Sequence, residues 1–294
     1  MSNSAIRLSL AVCVFGVAFA AGPSHAESLV AEGAEMKQVS TNHVFTEGPA
    51  VDKDGNLFFT DLGKSIIHKL SLSGDLSDFN AESAGSNGLY FDSAGTLFAC
   101  EQNNGRIVRY GEDGATTVLV DSYDGKPFNS PNDLWVDAKG GVYFSDPRYF
   151  RRDEKPQDGE HVYYIAPNGK TRRIIDDMVR PNGIIGTADG KTLYVADHGG
   201  NKTYAYSIAA DGSLSNKREF APEGADGITL DERGNLYLAG QGVTVYSPGG
   251  TKLETIDVPE GPSNVTFGGK DGKTLFITAR TSVYAIDMRV GGQR

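Results

Sequence analysis

Six polar residues recur along the chain at intervals of 38 to 50 residues, and each offers a side-chain oxygen atom. They are Glu47, Asn87, Asn132, Asn182, Asp226 and Asn264. Carboxylate and amide oxygens are the ligands that hard dications prefer in proteins, and the absence of Cys and His from the set argues against zinc. If the fold brings these residues together, the chemistry that they indicate is the binding of a divalent cation.

Four of these residues precede Gly, and taken singly they have a simpler interpretation, because Asn-Gly or Asp-Gly is typical of a tight turn. Their recurrence at the same position of each repeat favours a shared site instead. The carboxylate of Glu47 also favours it, because a tight turn does not require Glu. Glu47 and Asp226 in one confined channel would repel each other unless a cation joined them. Calcium is favoured over magnesium because it tolerates irregular geometry and more protein oxygens.

The elements that would position these residues also repeat six times. Each repeat has a Gly-containing turn followed by alternating apolar and aromatic residues, whose first apolar positions are Leu57, Leu97, Val142, Leu193, Leu236 and Leu275. Further β-rich segments flank each of these runs, and helical periodicity is absent. The pattern predicts an all-β fold, a six-bladed β-propeller formed by residues 27–294 as a single domain. The six polar residues lie ten or eleven positions before these apolar residues, at the start of the inner strand of each blade.

The last repeat ends without a clear outer strand. The segment MKQVSTNHVF, near residue 40, is expected to pair with this repeat and close the ring. Closure would remove the exposed sheet edges of an open array.

The N-terminus has the pattern of a signal peptide. Arg7 precedes an apolar stretch, and small residues occur before Glu27. We expect residues 1–26 to be removed on export to the periplasm or the medium, which the mass of the exported protein would show. Only Cys100 then remains, so no intramolecular disulfide is expected.

The composition of the chain excludes some classes of binding partner. The chain has 28 Lys and Arg against 38 Asp and Glu, a net charge of −10, which disfavours binding to nucleic acid. No apolar run after the signal peptide is long enough to span a membrane. We expect a monomer whose partner is a small molecule.

The predicted strand order places several loops beside the ring of polar residues. The longest, residues 146–160, is a candidate lid, and its Arg148, Arg151 and Arg152 either bind an anionic group or only solvate the loop. His198 is the one His that is predicted near the ring. Arg148 and His198 are therefore candidate substrate-binding residues.

Several motifs resemble the gluconolactonase/regucalcin (senescence marker protein) family, and with its signal peptide the chain looks like an exported bacterial member. They are Glu47-Gly48-Pro49, Ser130-Pro131-Asn132-Asp133, Arg180-Pro181-Asn182-Gly183, Leu193-Tyr194-Val195-Ala196-Asp197, Asp226-Gly227 and the C-terminal PSNVTFGGKDGKTLFITA. The resemblance implies a propeller with one catalytic divalent cation, held by Glu47, Asn182 and Asp226. It implies that Asn132 is a fourth ligand or a substrate contact and that Asp226 is also the catalytic acid/base. Ser130 departs from the animal members, whose Arg at this position contacts the sugar, so the substrate is left open.

Together these features predict a calcium-dependent lactonase, a carboxylic ester hydrolase that opens a sugar-type lactone with a metal-activated water. Whether Asp226 or a neighbouring group moves the proton is open. No Gly-x-Ser-x-Gly motif occurs, which disfavours a serine nucleophile. The alternatives are a phosphotriesterase-like or arylesterase-like hydrolase on the same metal site and a non-enzymatic ligand-binding propeller. The binding propeller would not need carboxylates at the axis.

Overall fold

The computed structural model describes Met1 and residues 27–111, 114–149 and 156–293. Within these residues the chain consists of strands and their connections, and no helix is long and apolar enough to cross a bilayer. Apart from Met1, the predicted signal peptide lies outside the described residues.

The described residues up to Ile175 form fifteen strands. In chain order they are β1 (Lys37–Ser40), β2 (Thr46–Val51), β3 (Leu57–Asp61), β4 (Ile66–Leu70), β5 (Leu76–Asn80), β6 (Ser86–Phe91), β7 (Leu97–Glu101), β8 (Arg106–Tyr110), β9 (Thr116–Val120), β10 (Ser122–Tyr123), β11 (Lys126–Pro127), β12 (Leu134–Val136), β13 (Val142–Asp146), β14 (His161–Ile165) and β15 (Thr171–Ile175). The sets β2–β5, β6–β9 and β12–β15 form three four-stranded antiparallel blades, and β10 and β11 form a separate hairpin.

The second half contains the remaining strands. They are β16 (Pro181–Gly186), β17 (Thr192–Asp197), β18 (Lys202–Ile208), β19 (Leu214–Ala221), β20 (Ile228–Leu230), β21 (Leu236–Ala239), β22 (Val243–Tyr246), β23 (Lys252–Ile256), β24 (Pro262–Gly268), β25 (Thr274–Ala279) and β26 (Ser282–Asp287). Blades four and five are β16–β19 and β20–β23, and the sixth has the order β1-β26-β25-β24.

The N-terminal strand closes the ring as the sequence predicts. β1 pairs antiparallel with β26, with Lys37 opposite Ala285 and Gln38 opposite Tyr284. The sixth blade therefore combines the two ends of the propeller, and the predicted six-bladed fold is confirmed.

The turns between the first and second strands of a blade lie at the end of the propeller opposite the six polar residues. In the first blade, Asp52 Oδ1 accepts hydrogen bonds from the backbone N–H groups of Asp54 and Asn56 at 3.0 and 2.9 Å. Gly55 follows at a φ of 90°, a conformation that glycine adopts without steric cost. Tight Asp-x-x-Gly turns of this kind fix the register of the hairpin between the first and second strands. The longer loops lie at the opposite end of the propeller, beside the six polar residues.

Burial decreases from the second strand of a blade to the outermost. Every residue of β3, β7 and β13 is buried, whereas the outer strands β5 and β9 are largely exposed. The apolar side chains of adjacent blades pack face to face and fill the space between them. This packing holds the inner strands rigidly around the channel.

Candidate active site and metal centre

A cavity of about 400 Å³ lies at the end of the channel where the inner strands begin. Nine residues line it: Phe45, Glu47, Leu62, Gly63, Asn87, Gln102, Asn132, Tyr149 and Asp226. Four of them belong to the predicted ring of six polar residues. The others come from the segment before β2 and from loops after the second strands, which the strand order places at this end.

Irregular strand pairing occurs where the polar ring residues lie. In four blades the pairing of the first strand with the second shifts register at the ring, at residues 47–50, 86–89, 181–184 and 262–264. In the other two blades the first strand begins two residues after Asn132 or Asp226. A β-bulge bends the strand and changes the direction of a side chain, which is how the ring residues leave the regular alternation of the sheet.

The glycines that follow the ring residues lie in or beside the inner strands rather than in tight turns. The Gly183 N–H donates a 2.7 Å hydrogen bond to the Asp226 carbonyl of the next blade, and a Cβ at Gly183 would lie 2.6 Å from that oxygen. Gly48 has a φ of 46°, and a Cβ there would lie even closer to the Asn87 carbonyl oxygen of the next blade. The Asn-Gly and Asp-Gly pairs therefore mark close contact between neighbouring blades.

Three carboxyl groups lie close to the cavity. Glu47 is buried, and its Oε2 accepts hydrogen bonds from the Gly48 N–H at 2.8 Å and the Asn264 amide at 3.3 Å. Asp226 Oδ1 accepts a hydrogen bond from the Asn182 amide. Asp133, directly after Asn132, is also buried and accepts a 2.9 Å hydrogen bond from the Leu134 N–H.

Burial changes the acidity of these carboxyl groups. It raises the pKa of Asp133 and of Asp226 to about 7. Burial and the nearby negative charges of Asp226 and Asp133 raise the pKa of Glu47 well above its usual value. Ionising all three is unfavourable without a compensating positive charge. The described residues that line the cavity include no Lys or Arg, and the positive charge of Arg280 only partly offsets the effect of burial on the pKa of Asp226.

The donor set fits a hard divalent cation. The cavity lining combines carboxylate oxygens with amide oxygens, and the buried Asn87 Oδ1 atom has no hydrogen-bond partner among the described residues. An unsatisfied buried oxygen is costly, and a cation would satisfy it as well as the carboxylates. The residues present therefore suit a bound dication with oxygen ligands.

The structure places the four predicted ligands together. Glu47, Asn132 and Asp226 line the cavity, and Asn182 lies beside them. The Asn182 amide nitrogen donates to Asp226 and, at 2.8 Å, to the Tyr149 hydroxyl. In this orientation Oδ1 is the atom that Asn182 can offer to a cation.

The two predicted substrate-binding residues from the loops do not line the cavity. Arg148 donates to Asn129 Oδ1 at 3.2 Å and to the Gln157 carbonyl, so it holds the long loop to the third blade. His198 is exposed, and its Nδ1 lies 2.6 Å from the Tyr149 hydroxyl. A contact of either residue with substrate stays a prediction. Arg151 and Arg152 lie outside the described residues.

Several residues of the site were not predicted from the sequence. Tyr149 follows Arg148 in the long loop and contacts both Asn182 and His198. Burial raises the pKa of its hydroxyl, which therefore stays a neutral hydrogen-bond donor. Phe45 and Leu62 supply an apolar wall. Asp133 belongs to the motif Ser130-Pro131-Asn132-Asp133, but the sequence assigns it no role of its own.

The fold and the site define a β-propeller with an oxygen-lined, acidic cavity at the axis. The chain belongs to the SMP-30/Gluconolactonase/LRE-like family, whose model matches residues 45–281. The gluconolactonase of Zymomonas mobilis is 30% identical, over 87% of this chain and 82% of that protein. Lactonase drp35 of Staphylococcus aureus is 28% identical, over 89% of this chain and 72% of that protein. A solved gluconolactonase from Xanthomonas campestris superposes with a TM-score of 0.82 at 29% identity, covering 88% and 91% of the two chains.

Proposed function

We propose that this protein is a calcium-dependent lactonase that opens a sugar-type lactone. The observation that carries the proposal is the group of carboxylate and amide oxygens around one axial cavity. This group of oxygens lies in a protein that is similar in sequence to gluconolactonases and to a lactonase. Glu47, Asn132, Asn182 and Asp226 are the residues that would hold the cation. When bound, the cation supplies positive charge that draws electron density from the lactone carbonyl.

The chain's own groups supply the proton transfer and the positioning. Asp226 accepts the proton of the attacking water and returns it to the leaving ring oxygen, as a general base and then a general acid. Asn182 holds Asp226 through its amide nitrogen, and Tyr149 in turn holds Asn182. Phe45 and Leu62 limit access of bulk water to one side of the cavity.

A pH-indicator screen of the purified protein tests this function. Sugar-type lactones, aryl esters and phosphotriesters are each assayed as substrates in the presence of calcium and in the presence of a chelator. We expect acid release from lactones with calcium only. Turnover confined to phosphotriesters or aryl esters would instead support the alternative hydrolase, and binding of lactones without turnover would support a ligand-binding propeller.

The raised pKa values predict how stability depends on pH in a chelator. Between about pH 4 and pH 7 the unfolded chain has released carboxyl protons that folded Asp133, Asp226 and Glu47 still bind. The free energy of unfolding contributed by these groups is therefore fully present below about pH 4 and is lost as the pH rises through about 7. Calcium should offset this loss, so the gain in melting temperature on adding calcium should be larger at pH 8 than at pH 5.5.

The matched variants for this experiment are Glu47→Gln and Glu82→Gln. Burial also raises the pKa of Asp146 to about 7 and lowers the pKa values of His43 and His161. These groups are present in both proteins, so the comparison of the wild type with Glu47→Gln isolates the cavity. Glu47→Gln should show a shallower decrease in melting temperature between pH 5.5 and pH 8. Glu82 is an exposed residue in the connection after β5 and does not line the cavity, so Glu82→Gln serves as the control and should leave the decrease unchanged. Equal pH dependence in all three proteins would contradict the account.

A further inference from the structure

A second cluster of possible metal ligands lies in the first blade, outside the cavity lining. It consists of His43 before β2, Asp61 at the end of β3 and His68 in β4. One ligand atom from each residue lies within 4.8 Å of the other two, and all three residues are buried. Among the described residues this is the one such group of His, Cys, Asp and Glu side chains.

Among the described residues, each histidine of this cluster has a buried ring nitrogen without a hydrogen-bond partner. His43 Nε2 lies 2.7 Å from Ser40 Oγ, but His43 Nδ1 has no hydrogen bond and lies 3.5 Å from Asp61 Oδ2. His68 Nδ1 lies 2.8 Å from Asp78 Oδ1, and His68 Nε2 has no hydrogen-bond partner in the part of the chain that the structure describes. Such atoms are costly when buried, so this arrangement suggests an additional ligand.

The propeller fold accounts for Asp61 but not for the two histidines. Asp61 accepts hydrogen bonds from the backbone N–H groups of Val44 and Phe45. Asp146 and Asp197 bind the corresponding connections of the third and fourth blades in the same way. Neither of those aspartates belongs to a comparable cluster.

We propose that the first blade holds a second metal site, for a nitrogen-preferring transition-metal dication, with zinc as the first candidate. The ligands are His43 Nδ1, Asp61 Oδ2 and His68 Nε2. Two ligand atoms on a tetrahedral zinc lie about 3.3 Å apart, close to the 3.5 Å between His43 Nδ1 and Asp61 Oδ2. Two histidines and one carboxylate form a known zinc ligand set that leaves a fourth position for water.

The surroundings of the cluster support this assignment. Ser40 and Asp78 each lie beside the ring nitrogen that the metal does not use, the position in which hydroxyl or carboxylate partners orient a ligating histidine. Burial and the neighbouring His68 lower the pKa of His43, which favours the neutral imidazole that a metal requires. Lys64 lies 3.3 Å from Asp61 Oδ2 but is 43% exposed, so its ammonium can move into solvent when the metal binds.

The site would act on the wall of the cavity. Asp61 holds the backbone of Phe45, and Leu62 directly follows Asp61. A metal at the cluster would therefore link the segment before β2 to β3 and β4 just behind the apolar wall and rigidify it. This inference rests on the cluster itself and is independent of the proposed hydrolysis.

Cobalt(II) and zinc provide the test, with the full mature chain kept in excess calcium so that the axial oxygen site is occupied. We expect one equivalent of Co²⁺ to bind with visible absorption bands of a low-symmetry nitrogen-containing site, and one equivalent of Zn²⁺ to displace it. His43→Gln and His68→Gln should each weaken Zn²⁺ binding about 100-fold or more. His161→Gln is the matched control, because His161 is also buried beside a carboxylate, that of Asp158, but lies outside the cluster.

X-ray absorption of the wild-type protein with one equivalent of Zn²⁺ keeps the proposal testable if a variant fails to fold. Two imidazole nitrogens and a carboxylate oxygen at zinc would support the site. Absence of stoichiometric Co²⁺ and Zn²⁺ binding by the wild type, a ligand shell of oxygen only, or equal affinity in the cluster and control variants would overturn it.

Discussion

The Asp226→Asn variant should hydrolyse lactones on the order of 10² times more slowly than the wild type, or slower still, even at saturating calcium. Asn keeps the size of Asp226 and one possible ligand oxygen but removes a negative charge and the proton acceptor. Calcium affinity should therefore decrease, and excess calcium should refill the site without restoring the rate. The initial rate and the bound calcium, measured on the same sample, separate the two roles of Asp226.

Asp92→Asn is the matched control for this experiment. Asp92 accepts hydrogen bonds from the backbone N–H groups of Ala94 and Thr96 in a turn at the opposite end of the propeller. The same chemical change there should leave the rate within about twofold of the wild type, since the turn does not touch the cavity. A normal rate for Asp226→Asn at saturating calcium would limit Asp226 to the role of ligand and assign the proton transfer to another group.

The fold and much of the cavity could be predicted because both follow from the periodicity of the chain. A repeat places equivalent residues of each blade at equivalent positions around the axis. Glu47, Asn132 and Asp226 occupy the same position in their repeats, and this was sufficient to predict that they lie around one cavity. The pairing of β1 with β26 follows from the same reasoning, because a ring with one strand missing needs a partner.

The remaining contacts depend on loop conformations, which the periodicity does not encode. Tyr149 reaches Asn182 from a long loop of another blade, and nothing in their spacing of 33 residues indicates contact. His43 and His68 are 25 residues apart in the sequence, yet their ring centroids lie 5.0 Å apart. Asp61, at the end of β3, binds the connection that carries His43, and β4, which carries His68, pairs with β3. Contacts of this kind depend on the course that each loop takes between its two strands.

The Gly residues after the ring positions show how a local pattern can be misread. Asn182-Gly183 is typical of a turn, but Gly183 lies in β16, where its missing side chain lets the strand touch the Asp226 backbone. The sequence shows only that this position has no Cβ. The tertiary structure is needed to show whether the missing Cβ permits a tight turn or close contact between two strands.

The Glu47→Gln variant should bind calcium about 100-fold more weakly than the wild type. Glu47 is buried beside Asp226 and Asp133, so its charge is costly in the free protein and is compensated by the cation in the complex. Gln keeps the shape and one oxygen but removes the charge. The gain in melting temperature on adding calcium should decrease accordingly, and Glu82→Gln should retain the full gain.

A calcium titration of chelator-treated wild type and Glu47→Gln, with bound calcium and the rate of lactone hydrolysis followed together, tests the central claim most directly. The account predicts no measurable hydrolysis in the stripped wild type and a rate that increases in proportion to occupancy of one site. It also predicts that both curves of Glu47→Gln shift together to about 100-fold higher calcium. Full hydrolysis by the stripped wild type, or a rate that does not follow occupancy, would contradict it.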